Sequence, residues 1–213
     1  VIVRLDRTGA AVDTIAYLES PYQLSEADGR VALLAPVPVW AALPGGGVAH
    51  GHSHRYRITV ADATGAVRRV FTLPVSPAPF TESHRDAVRA GFREVAAKQG
   101  LPEAMVDQVL ATVSFWDELP LIGELLPGPD GALLVQRAAA PRDMRFDRMN
   151  VYRTDWIRGS TWDVFDADGR YLGELRFPSR VQLFAARNGL LYGIRADELD
   201  VPSIVRYRVE MGA

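Results

Sequence analysis

One stretch of sequence decides the fold: Tyr56-Arg-Ile-Thr-Val-Ala-Asp-Ala-Thr-Gly65, together with residues 66–73 that follow it. An apolar strand leads into the Asp-Ala-Thr-Gly turn, and a second apolar strand leaves it. A glycine at the end of the turn supplies the positive φ that a tight hairpin needs. The stretch therefore predicts a β-hairpin closed at Gly65.

The same pattern recurs along the chain. Other copies span residues 2–18, 161–177 and, with the first strand only, 204–209. Before three of the copies, a further apolar strand opens with its own turn. These turns begin at Pro44, Pro129 and Asn188. The repeating unit is therefore predicted to be an inner strand, a middle strand, a Gly turn and an outer strand.

The spacing of the turn glycines predicts two insertions. Gly9 and Gly65 are 56 positions apart, but Gly65 and Gly169 are 104 apart, whereas common propeller blades take about 40–50 residues. We assign the excess to a helical insertion at about residues 81–114 and to a long polar loop at about residues 138–160.

The first insertion has helical spacing. Val88, Phe92 and Val95 fall on one helix face. Thr81 or Ser83 is suited to cap this helix, Gly100 to end it, and Pro102 to open a second helix. The capping, ending and opening residues occur in the order that two consecutive helices need, so the segment is predicted to form a pair of short helices.

The repeat resembles a known family. The run 46–65 resembles an NHL-type repeat, and the runs 162–169 and 192–208 look like the last blades of bacterial six-bladed β-propellers. The resemblance implies an all-β fold. It implies a partial six-bladed propeller of about three and a half blades in a single domain, residues 1–213, with the remaining blades upstream of residue 1. Because similar propellers are commonly exported, it also implies an extracytoplasmic location.

Composition excludes several classes of protein and site. The 213 residues carry a net charge of −2, which argues against a general nucleic-acid or anionic-membrane binder. No Cys is present, so disulfides and thiolate-based zinc sites are excluded. No apolar run approaches the ~20 residues of a membrane helix.

A His-x-His-x-His run formed by His50, His52 and His54 is the candidate metal site. In an extended strand the three side chains share one face, and three imidazoles suit an open site for a divalent metal such as zinc. The alternative is a polar hairpin turn, with Gly51 and Ser53 as turn residues. A bend between His52 and His54 removes the shared face.

Other polar groups have competing interpretations. Asp197, Glu198 and Asp200 suit a cation or a solvated loop, and Asp163, Asp166 and Asp168 are interpreted as turn residues. The loop at 138–160 carries Arg and aromatic residues that suit a binding surface. They are Arg142, Arg145, Arg148, Arg153, Arg158, Tyr152 and Trp156.

Two functions follow from these observations. The first is a binding or scaffold module for a protein or small-molecule ligand, since no nucleophile elbow, P-loop or dinucleotide fingerprint is present. The second is a metal-dependent hydrolase or lyase with its site in the propeller channel, for which the histidine run is the supporting feature.

Overall fold

The structure is a computed structural model that describes residues 1–18, 31–139, 158–178, 181–197, 199 and 201–209. The described residues are mostly β, with 49% strand and 19% helix. The described strands are β1 (Ile2–Leu5), β2 (Ala11–Ala16), β3 (Val31–Leu33), β4 (Pro38–Ala42), β5 (Val48–His52), β6 (Arg55–Ala61), β7 (Val67–Thr72), β8 (Val113–Phe115), β9 (Ile122–Pro127), β10 (Leu133–Ala138), β11 (Arg158–Phe165), β12 (Tyr171–Arg176), β13 (Val181–Arg187), β14 (Leu190–Ala196) and β15 (Pro202–Arg208).

Four antiparallel sheets account for most of these strands. Strands β4 to β7 form sheet I, β9 to β12 form sheet II, and β13 to β15 form sheet III, each with its strands in sequence order. The hairpin β1–β2 is the fourth sheet. A short parallel pair, β3–β8, was not predicted, because a repeat of hairpins gives antiparallel pairing only.

The predicted three-strand unit is wrong, because sheets I and II each have four strands. The additional strands, β4 and β9, come before the turns at Pro44 and Pro129, and β13 precedes the turn at Asn188 in the same way. Pro38 opens β4 and Pro127 closes β9. Proline in a short apolar run argues against a strand unless the strand lies at an edge, where both of these strands lie.

The predicted glycine turns are confirmed. Gly9, Gly65 and Gly169 have φ of 86°, 82° and 82°, and each closes the hairpin between two consecutive strands. An aspartate opens each turn, and its Oδ1 accepts main-chain N–H groups two and four residues later. These aspartates are Asp6, Asp62 and Asp166.

The helical insertion lies within the predicted residues 81–114, but its helices end at Ala111 and strand β8 takes up Val113 and Ser114. Helix α1 (Glu82–Lys98) begins after Thr81, and helix α2 (Glu103–Ala111) begins after Pro102. Gly100, with φ of 71°, lies between them. The buried face of α1, which includes Val88 and Phe92, shares a core with Leu33 of β3 and with Phe80.

The predicted loop at 138–160 is too long at both ends. Strand β10 runs to Ala138, and β11 begins at Arg158. The ladder between these two strands joins Ala138 to Arg158, which extends the sheet into the segment that polar composition marked as loop. Residues 140–157, with Arg142, Arg145, Arg148, Arg153, Tyr152 and Trp156, lie outside the described residues.

Successive sheets pack face to face. Strand β9 contacts β4 on one side and β13 on the other, so the first strands of sheets I, II and III are neighbours in series. One apolar core lies between sheets I and II, and includes Ile58, Ile122 and Val135. A second lies between sheets II and III, and includes Trp162 and Leu183.

The two outer faces of this series are covered only in part among the described residues, where Ala16 of the β1–β2 hairpin packs with Val48 and Ala61 of sheet I. Trp40 pairs with His50 as Leu125 pairs with Val135, yet Trp40 is 53% exposed while Leu125 is buried. On the opposite face of sheet III, Ile204 is 78% exposed. The position of an aromatic or aliphatic residue in this repeat therefore does not decide its burial; the presence of a neighbouring sheet does.

Candidate functional site

The three histidines of the predicted metal site do not share one face. His50 and His52 lie two residues apart on β5, whose side chains alternate, but the chain turns at Ser53 and His54 before β6 begins. Strand β5 is the second strand of sheet I, not the first. In this position His50 has a neighbour on each side, Trp40 of β4 and Thr59 of β6, and it lies on the outer face of the sheet.

His54 is a buried structural residue. Its Nε2 lies 3.1 Å from the main-chain oxygen of Glu118, and its Nδ1 lies 3.0 Å from Ser53 Oγ. Because Ser53 Oγ already accepts the N–H of Val37 at 3.0 Å, its hydroxyl proton is available to His54 Nδ1. Nε2 then carries the proton that is donated to Glu118. Burial lowers the pKa of His54, partly offset by the bond to Glu118 and by its charge.

His50 and His52 have fewer partners. Burial, followed by the neighbouring His52, lowers the pKa of His50. His52 Nδ1 is buried without a hydrogen-bond partner. Across the described ranges, no three His, Asp or Glu side chains are grouped so that they could hold a metal ion. The metal site stays a prediction that only a metal analysis tests.

A buried aspartate with three side-chain partners lies where the sequence predicts a turn residue. Asp163 lies in β11 and not in a turn, and it is fully buried. Tyr56, from sheet I, donates to its Oδ2 at 2.5 Å. Arg137 donates to both carboxylate oxygens, at 3.0 Å from Nε and 2.6 Å from Nη2, and Tyr171 donates to Oδ1 at 3.1 Å.

The electrostatics of this cluster follow from burial and from the aspartate. Burial, and then the hydrogen bond to Asp163, raises the pKa of Tyr56 far above its ordinary value. The hydrogen bond to Asp163 raises the pKa of Arg137. Burial and the negative charge of Asp163 raise the pKa of Tyr171. All three donors therefore keep their protons across the physiological range.

Four donor atoms saturate the acceptor sites of the Asp163 carboxylate. A carboxylate with no free lone pair is poorly placed to take a proton from a substrate or to bind a metal. The Arg137 guanidinium extends the cluster to Glu174 at 3.1 Å, near the surface. The arrangement is suited to joining sheet I to sheet II, with the buried charge compensated by a bidentate partner.

One signal in the sequence marks Asp163 as unusual. It lies between Trp162 and Val164 in an apolar run, where a turn aspartate is not expected. An ionisable residue inside a strand of large apolar residues is almost never fully buried unless it is paired. Two of its three partners, however, Tyr56 and Arg137, lie 107 and 26 positions away. Local spacing does not identify them.

No family model, curated protein or solved structure matches this chain. The fold and the site therefore stand on the residues alone.

Of the acidic candidates at 197–200, Asp197 accepts hydrogen bonds from its own turn. Oδ1 of Asp197 accepts the N–H groups of Leu199 and Val201, as in the turns at Asp62 and Asp166. The other two members of that cluster, Glu198 and Asp200, lie outside the described residues.

The connections between strands separate into two ends of the sheets. At one end, the tight-turn end, every described connection is a short turn, such as residues 44–47, 62–66 and 128–132. At the other end, the insertion end, lie the histidine turn, the helical insertion and both ends of the connection between β10 and β11.

None of the described helices has the length and apolarity to cross a membrane.

Proposed function

We propose that this chain is part of a β-propeller that serves as a binding or scaffold module, with the insertion end as its binding face. The observation that carries the proposal is the asymmetry between the two ends. The described connections at the tight-turn end are all short turns, whereas the insertion end carries the helices and the longest connections. Binding residues are found disproportionately on connections that a rigid scaffold positions.

The series of sheets supports the propeller. Sheets I and II are four-stranded antiparallel meanders, and their first strands are neighbours through β4, β9 and β13. Blades of this kind, arranged radially, leave only short and protected edges. The saturated Asp163 cluster supports a rigid scaffold role, since it holds two adjacent sheets together.

The insertion end offers a defined surface for a partner. Ion pairs brace the insertion: Arg93 pairs with Asp107 at 3.0 Å, and Arg85 pairs with Asp117 at 2.9 Å. Met105 on α2 is half-exposed. Methionine adapts its shape to different partners, which suits a recognition surface.

Selection from a random peptide display library on the immobilised protein tests the proposal. We expect enriched peptides whose binding falls at least about tenfold in a Met105→Glu, Gln108→Glu variant of the exposed face of α2. The matched control is Arg7→Glu, an exposed change in the β1–β2 turn at the opposite end. It is expected to leave binding unchanged.

Two results contradict the proposal. One is the absence of any enriched peptide. The other is loss of binding in the Arg7 variant alone, which moves the binding face to the tight-turn end. Metal-dependent turnover of a lactone or peptidyl substrate favours the hydrolase or lyase function instead.

A further inference from the structure

A cavity of about 170 Å³ lies between sheets II and III at the tight-turn end, away from the proposed binding face. Its inner wall is apolar and is formed by Leu134, Val164, Leu175 and Leu191. Three of these residues are buried, and Leu191 is fully so. Exposed residues, including Asp130, form part of the lining, so the cavity reaches the surface.

The internal repeat explains why space remains here. Leu175 pairs with Trp162 as Phe71 pairs with Ile58, so Leu175 is the counterpart of Phe71. Between sheets I and II, the Phe71 ring packs on Phe165 with ring centroids 4.6 Å apart. A leucine in place of that ring leaves volume between sheets II and III.

The size of the cavity limits the ligand. An apolar cavity of about 150 Å³ holds one benzene molecule, so a chain of about six carbons suits this one. A void of this kind costs stability when it is empty, because the atoms around it lack packing partners. An apolar ligand restores those contacts.

The polar groups of the lining are both acidic. Asp130 lies in the turn between β9 and β10, and Asp166 opens the turn between β11 and β12. Turn N–H groups occupy Oδ1 of Asp166. Neither carboxylate forms an ion pair with a basic side chain in the part of the chain that the structure describes. The mouth of the cavity therefore favours a cation over an anion.

We propose that this cavity is a binding site for small amphipathic amines. The ammonium group lies at the carboxylates of Asp130 and Asp166, and an alkyl chain of about six carbons lies against Leu134, Leu175 and Leu191. The site is separate from the proposed binding face, because it opens at the opposite end of the sheets.

Titration of the full chain with three probes of the same tail tests the site. Main-chain NMR shifts would report the binding of hexylammonium, 1-hexanol and hexanoate. Hexylammonium is expected to bind saturably and about tenfold tighter than hexanol, as one charge-assisted hydrogen bond provides. Hexanoate is expected to bind most weakly. Asp130→Asn is expected to lower the affinity for hexylammonium toward that for hexanol and to leave hexanol binding unchanged.

A variant that fills the cavity provides the second part of the test. Leu175→Phe restores the residue type found at Phe71 and is expected to abolish binding of all three probes. Leu172→Phe, on an exposed position of the same strand, is the matched control and is expected to bind normally. Circular dichroism confirms that both variants fold. Three results overturn the proposal: no saturable binding to the unaltered chain, unchanged binding in folded Leu175→Phe, or hexanoate binding as tightly as hexylammonium.

Discussion

Tyr56 of sheet I donates a 2.5 Å hydrogen bond to the fully buried carboxylate of Asp163 in sheet II. Replacing Tyr56 with Phe removes a hydrogen bond to a charged group and is expected to lower the free energy of unfolding by about 1.5–3 kcal/mol. Asp163→Ala is expected to cost more, about 3–5 kcal/mol, because it leaves Arg137 and two hydroxyls without their acceptor. Urea denaturation measures both.

Tyr171→Phe is the matched control for this pair of variants. Its bond to Asp163 is longer, at 3.1 Å, and its side chain is partly exposed. A smaller loss of stability than for Tyr56→Phe is therefore expected. Equal losses would mean that the cluster does not join the two sheets in the way the hydrogen-bond lengths indicate.

The turn glycines give a graded prediction. Gly9→Ala adds only the strain of a positive φ, about 1–2 kcal/mol, because nothing lies within 4 Å of the new methyl group. Gly65→Ala adds the same strain, and its methyl group lies 3.0 Å from the main-chain oxygen of Ile15. We expect thermal unfolding to show a larger loss of stability for Gly65→Ala than for Gly9→Ala. The opposite order would contradict the packing of β2 on this turn.

The hairpin repeat and the helical pair could be predicted from the sequence because their signals are local. Gly65 lies at the end of a turn whose acceptor, Asp62, is three residues away, and bonds from Thr64 lower the pKa of Asp62 to about 2. The first strands of sheets I and II, β4 and β9, were missed because a proline at one end of each disguises an edge strand. The role of Asp163 was missed because two of its partners, Tyr56 and Arg137, belong to strands that are distant in sequence.

Stability should depend on pH through His54. Its folded-state pKa lies below the unfolded value of about 6.5, so the unfolded chain binds more protons as pH falls below that value. The contribution of neutral His54 is therefore complete above pH ~6.5 and declines as pH falls toward the folded-state pKa. Urea midpoints measured from about pH 7 to 5 check this.

His54→Gln is the comparison for that series. The glutamine amide retains a donor for Glu118 but does not titrate. We expect a flatter profile than in the unaltered chain, since carboxylate titrations are common to both proteins. A profile of unchanged slope would contradict the assignment of His54 as a neutral, buried residue.

The metal prediction is tested by element analysis of the purified chain and of a His50→Ala, His52→Ala variant. Because His54 is committed to Ser53 and Glu118, we expect the same negligible zinc content in both proteins. Stoichiometric metal in the unaltered chain that is lost in the variant would contradict the binding-module account and support a metal site on β5.

The radial arrangement of sheets is the central claim, and the absence of Cys makes it directly measurable by pairwise spin labelling. Ala10, Ala66 and Arg170 occupy equivalent exposed positions, each donating its N–H to the aspartate that opens its turn. Spin-labelled Cys residues placed at two of these positions at a time give three inter-label distances by double electron–electron resonance. A six-bladed propeller predicts that 10–66 and 66–170 are equal and that 10–170 is about 1.7 times longer. A 10–170 distance equal to the sum of the other two would show sheets stacked in a line and would contradict the propeller.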